Sequence, residues 1–116
     1  MELNLLVIRT KNPRLLAEFY EKIGLQFEYH QHGNGPFHYA TSLGKTVFEI
    51  YPFTKSQQEA DKTLRLGFTV KNLDELIAKL KQENINILTE PAHSEWGYFA
   101  VIADPDGRKI ELTEKG

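Results

Sequence analysis

The chain has 116 residues, 41% hydrophobic and 26% charged, and no cysteine. That length allows one compact domain or two very small units sharing a core, and the composition excludes disordered and fibrous classes. Lacking cysteine, the protein has no disulfide, thiolate metal site, iron–sulfur cluster or cysteine nucleophile. Fourteen basic against sixteen acidic residues, a net charge of −2, argue against a nucleic-acid surface that works by neutralising phosphates. The first apolar stretch, residues 3–8, is too short for a signal peptide or a membrane span, so a cytoplasmic protein without membrane contact is expected.

Residues 3–10 form a strand-length apolar run. Asn12-Pro13 then offers an N-cap with proline at the first helical position. Leu15, Leu16, Phe19, Tyr20 and Ile23 recur at helical spacing as far as Gly24, which ends the helix. Three short strands are predicted at 26–30, 37–41 and 46–51, with turns at Gly33-Asn34-Gly35-Pro36 and Leu43-Gly44-Lys45. Residues 53–63 are polar and weakly patterned, and they link a first module, 1–52, to a second, 64–116.

The second module repeats the order. A strand at 64–70 leads to Asn72, read as the cap of a helix carrying Leu73, Leu76, Ile77 and Leu80. Strands are predicted at 85–88, 98–103 and 109–113, and Asp104-Pro105-Asp106-Gly107 has the residues of a tight turn before the last. Leu6-Val7-Ile8-Arg9-Thr10-Lys11-Asn12 returns sixty positions later as Leu66-Gly67-Phe68-Thr69-Val70-Lys71-Asn72. The chain is therefore α+β, two tandem βαβββ modules, each with one helix to cover one face of its sheet.

Strand alternation assigns the other face. In the first module it carries Leu5, Val7 and Arg9 with Val47, Glu49 and Tyr51; in the second, Arg65, Gly67 and Thr69 with Lys109, Glu111 and Thr113. Leucine, valine and tyrosine beside glutamate and arginine suit the lining of a ligand cavity. The plain alternatives are a solvated sheet face or a dimer interface.

The doubled βαβββ plan and the closing Asp104-Pro105-Asp106-Gly107-Arg108-Lys109-Ile110-Glu111-Leu112 carry a resemblance, with Glu95-Trp96-Gly97 and a first helix ending in Phe19-Tyr20 and Gly24-Leu25. Over essentially its whole length the chain resembles the vicinal oxygen chelate superfamily of glyoxalases, bleomycin-resistance proteins and extradiol dioxygenases. The resemblance implies curled mixed sheets forming a cup-shaped, incomplete barrel, usually in a homodimer. It also implies a divalent metal (nickel, zinc, manganese or iron) in the metal-dependent members, held at positions that fall here on Leu5, Glu49, Arg65 and Glu111.

Two of those four positions lack a donor. Leu5 has no ligating atom and Arg65 brings a fixed cation without a lone pair. Shifting the register by one puts Asn4 or Leu6, and Leu64 or Leu66, in their place, which restores nothing. The coherent expectation is no cofactor: a metal-free cup in which Arg65 meets a carboxylate or an anionic ligand. His30 and His32 adjoin the Gly33–Pro36 turn and read as an exposed hairpin end, while His38 is the better pocket residue. His93 falls in a predicted loop with Trp96, which by resemblance caps the cup; Tyr39, Tyr51 and Tyr98 are left unsorted between core and cavity.

Two functions from different classes remain. One is a small-molecule binding protein like the bleomycin-resistance branch, with Arg9, His38, Glu49, Tyr51, Arg65, Trp96 and Glu111 lining its cleft. The other is an enzyme, a glyoxalase-like lyase or isomerase or a dioxygenase-like protein with a remodelled metal site, or a metal-free catalyst using Glu49 or Glu111. No nucleophile elbow, phosphate loop, dinucleotide fingerprint or His-Glu-x-x-His motif occurs.

Overall fold

A computed structural model describes all residues, Met1–Gly116. The first module comprises β1 (Leu5–Thr10), α1 (Pro13–Lys22), β2 (Glu28–His30), β3 (His38–Leu43) and β4 (Thr46–Pro52). The second comprises β5 (Leu66–Val70), α2 (Leu73–Gln82), β6 (Ile87–Ser94), β7 (Gly97–Ala103) and β8 (Lys109–Glu114). The chain divides into compact units at 1–61 and 62–116. Each unit is a four-stranded mixed sheet, ordered β1-β4-β3-β2 in the first and β5-β8-β7-β6 in the second, and neither closes into a barrel. The first strand of each unit lies parallel to the last, and the other pairings are antiparallel.

The helices form where the sequence places them, but their starts differ. Asn12 Oδ1 accepts the Leu15 amide at 3.1 Å, and Pro13 opens α1. Asn72 stands at the same place before α2 without a side-chain cap, and the Glu114 carboxylate accepts the Leu73 amide at 3.1 Å instead. Both helices end by a turn of positive φ sixty residues apart, Gly24 at 117° and Asn84 at 61°. Glycine and asparagine are the residues that tolerate such angles.

Alternation decides what is buried. In the first unit Leu16, Phe19 and Tyr20 of α1 pack on Ile8, Phe48 and Ile50. Tyr20 meets Phe19 and Phe48 edge-on at 5.1 and 5.4 Å, the favoured aromatic arrangement. In the second, Leu73, Ile77 and Leu80 of α2 cover Ala100, Ile102, Ile110 and Leu112. The predicted β6 is too short: residues 90–94, read as loop, extend the strand to Ser94 through register shifts around Pro91. A proline lacks the ladder donor, so it sits at an edge strand where the pairing is already irregular.

The closing motif is a buried electrostatic knot. Asp104 Oδ1 accepts the amides of Asp106 and Arg108 at 2.9 and 3.0 Å. The buried Arg108 guanidinium bonds Asp104 Oδ2 at 3.2 Å and Asp106 Oδ2 at 2.8 Å. Burial works against the arginine's charge, yet the two carboxylates outweigh it and raise its pKa further. Asp104, Asp106 and Arg108 thus lock the β7–β8 turn.

Candidate functional site

On the open face of the first sheet, register sorts the side chains into rows running across the strands. Arg9 pairs with Tyr51, Tyr51 lies beside His38, and His38 pairs with His30, so one row takes a residue from each strand. The next row is Val7, Glu49, Ala40 and Glu28; the third begins with Leu5, Val47 and Ser42. Tyr39 and Tyr98, unsorted by sequence, both lie on the helix-covered side, where the Tyr98 hydroxyl donates to Asp74 at 2.7 Å. Of the three tyrosines only Tyr51 faces the open side.

The first row is stacked. The Tyr51 ring lies parallel to that of His38, 4.2 Å away and 7° from coplanar, with the Arg9 guanidinium 5.0 Å from its centre. Arg9 is tied to the Pro52 carbonyl at 3.1 Å, which fixes the cation over the ring. Burial first, and then the Glu49 carboxylate, raise the Tyr51 hydroxyl above its ordinary pKa, while Arg9 pulls the other way. His38 is fully buried, its Nδ1 3.3 Å from the Pro36 carbonyl. A carbonyl only accepts, so that contact makes Nδ1 the protonated nitrogen. Nε2 lies 3.2 Å from Glu49 Oε2, but without the alignment of a hydrogen bond it has no such partner.

His30 and His32 stand at the hairpin end expected for them, His32 exposed and His30 half-buried, and there they close on His38. Ring centres are 4.9 Å apart for His30–His32, 4.5 Å for His30–His38 and 4.9 Å for His32–His38. The turn brings this about: Gly33 takes φ 58°, the Gly35 amide bonds the His32 carbonyl at 3.0 Å, and Gln31 reaches back to the Gly35 carbonyl at 2.6 Å. A sequence signal for part of this existed, since His30 and His38 stand at equal distances either side of Asn34 and so face each other across a hairpin centred there. The fold-back of His32 depends on the turn's backbone angles, which spacing does not carry.

Beside this cluster is an open hollow of about 630 Å³. Leu5, Val47 and Ala40 supply apolar lining; Glu28, Glu49 and His30 supply its polar end. Leu5, 49% exposed, is the most open large apolar side chain on this face.

The second unit places Gly67, Glu111 and Val101 in one row and Thr69, Thr113 and Phe99 in the next. Glu111 therefore holds the register position that Glu49 holds in the first unit. Arg65 falls just before β5 and lines, with Glu111, Ser94 and Trp96, a second hollow of about 470 Å³. Arg65 makes no ion pair with Glu111, one of the two kinds of partner, carboxylate or anionic ligand, expected for it. Trp96, 84% exposed, stands at the β6–β7 turn, which Ser94 fastens by accepting the Trp96 amide and donating to the Gly97 carbonyl.

The donor set at the four superfamily metal positions does not fit a metal ion. Each unit contributes one carboxylate, Glu49 or Glu111, beside a residue that cannot ligate, Leu5 or Arg65. Carboxylates alone would hold a divalent ion weakly and mostly hydrated.

A family model described as a glyoxalase-like domain matches residues 1–115. No curated protein matches the chain significantly. Among solved structures, the antibiotic binding protein TnmS3 from Streptomyces sp. CB03234 superposes with a TM-score of 0.80 at 20% identity, covering 100% of this chain and 97% of that one. A glyoxalase/bleomycin resistance protein from the same organism gives 0.73 at 21% identity, with 97% and 99% covered. A member of the glyoxalase/bleomycin resistance protein/dioxygenase superfamily from Sphaerobacter thermophilus DSM 20745 gives 0.74 at 14% identity, with 99% and 98% covered. At these identities the likeness is one of fold.

Proposed function

The chain belongs to the glyoxalase-like domain family, and from that premise we propose that it is a small-molecule binding protein that uses no metal at the four superfamily positions. The observation that carries this reading is the hollow on the open face of the first sheet. Its volume of about 630 Å³ lies in the range of small-molecule sites. Apolar lining at one end and carboxylates at the other suit an organic molecule with an apolar or aromatic body and a basic or hydrogen-bond-donating group. Leu5, Val47 and Ala40 would contact the body, and Glu28 and Glu49 the polar group. Arg9 and Tyr51 hold the neighbouring row in place. The fold likeness to an antibiotic binding protein supports the same class of ligand. A homodimer, usual in the superfamily, is part of the reading, and light scattering should give twice the chain mass of 13.4 kDa.

A thermal-shift and calorimetric screen of aromatic antibiotics and related amines, run in EDTA, tests the proposal. A hit should lose at least tenfold in affinity in Val47→Lys, which places a charge on an exposed position of the lining. An empty screen, or hits indifferent to both Val47→Lys and Glu28→Gln, would overturn it. The enzyme reading is favoured by one observation, the Glu49 carboxylate held against buried His38. Turnover of a hemithioacetal substrate abolished by Glu49→Gln would establish that reading instead.

A further inference from the structure

We propose that His30, His32 and His38 form a binding site for one divalent transition-metal ion of the zinc class. The three histidines include none of the four superfamily positions. Three observations carry the proposal.

The first is convergence. Each histidine offers a ring nitrogen, and these nitrogens all lie within 4.8 Å of one another. Ligands on a tetrahedral ion with bonds near 2.0–2.1 Å are about 3.3 Å apart, so closing the set needs His30 and His32 to move by about an ångström. His32 is exposed in the connecting turn and has room to do so.

The second is the state of His38. Its Nε2 is buried and has no hydrogen-bond partner, an arrangement that is normally costly. Its other nitrogen faces the Pro36 carbonyl at 3.3 Å. Metal-binding histidines characteristically donate the second ring N–H to a carbonyl or carboxylate, which turns the free lone pair toward the ion. The Tyr51 ring stacked at 4.2 Å holds the plane of the imidazole.

The third is the carboxylate. Glu49 Oε2 sits 3.2 Å from His38 Nε2, outside the three converging nitrogens, and places a negative charge beside them that favours a bound cation. Three imidazoles favour zinc, nickel, cobalt or copper over magnesium or calcium, which prefer oxygen ligands.

The inference goes beyond the organic-ligand reading; His30 and His32 also line that hollow, but the test uses metal alone, so either reading can fail without the other. The full chain, stripped with EDTA and dialysed, is titrated with zinc chloride by calorimetry, and histidine ring signals are followed by NMR. Expected are one zinc per chain, perturbed signals from His30, His32 and His38, and an at least tenfold loss of affinity in His32→Ala. His32 is exposed, so that variant should fold. His93→Ala, which removes the histidine of the second unit, should bind zinc like the parent chain. Absence of stoichiometric binding, an unchanged affinity in His32→Ala, or equal losses in His93→Ala and His32→Ala would each overturn the proposal. Magnesium chloride in place of zinc should give no saturable heat; equal binding of magnesium would also overturn it.

Discussion

Tyr51 shows how one side chain reports on its row. Its hydroxyl titrates above the ordinary tyrosine value because burial and Glu49 disfavour the phenolate, and Arg9 moderates the effect. A raised folded-state pKa means that this stabilisation is fully present below about pH 10 and fades as pH rises through the folded value. In a spectrophotometric titration Glu49→Gln should bring the Tyr51 transition down, and Arg9→Gln should push it further up. Transitions unmoved by either change would separate Tyr51 from both charges. Arg108 carries a larger stake. Its guanidinium and Asp104 are both buried, so Arg108→Ala leaves a carboxylate without its cation. The expected loss is about 3–5 kcal/mol, read as a lower urea midpoint with little change in slope. Binding on the open face would then fall only as far as the folded fraction falls.

The two helices have the same design and different fastenings. Asn12→Ala should cost about 1 kcal/mol, because Asn12 Oδ1 accepts the Leu15 amide. Asn72→Ala should be close to neutral, since the Asn72 side chain makes no cap hydrogen bond. In the second unit the sensitive change is Glu114→Ala, which removes the acceptor of the Leu73 amide, while Glu114→Gln keeps a carbonyl there. At the helix exit Asn84→Val should cost about 1–2 kcal/mol, since a branched side chain at φ 61° is strained. Chemical denaturation of the five variants side by side checks the set. The element order, both helices and the buried faces were legible because apolar spacing of two and 3.6 residues is written locally. The length of β6 was not, because Pro91 reads as a strand breaker and an edge strand with shifted register tolerates it.

For the molecule as a whole, the segment between the units is the place to cut. Lys55 and Lys62 are exposed and lie outside the strands and helices, so limited trypsin digestion should nick there first. Two fragments of roughly half the chain mass are expected on a denaturing gel; early cleavage inside β4 or β5 would contradict the assignment of units. Net charge is a property of the same scale. At −2 the chain should show no salt-dependent retention of duplex DNA in a filter assay.

Read by itself, the sequence determined the doubled βαβββ plan, the faces of the strands, the superfamily, and the mismatch of Leu5 and Arg65 with metal ligation. The plan and the faces depend on residue type and local spacing, which need no third dimension; the superfamily and its metal positions come from the resemblance carried by the doubled order and the closing motif. It also singled out Arg9, His38, Glu49 and Tyr51, whose alternation puts them on one face. Only the tertiary structure decided how these residues meet. Strand register set Arg9, Tyr51, His38 and His30 in a single row, and the Gly33–Gly35 turn folded His32 onto His38. It also left Arg65 without an ion pair to Glu111, one of the two kinds of partner expected for it. Pairings between strands and the backbone angles of a turn are set by long-range hydrogen bonds and packing, so residues far apart in the chain acquire common chemistry only once the sheet has formed.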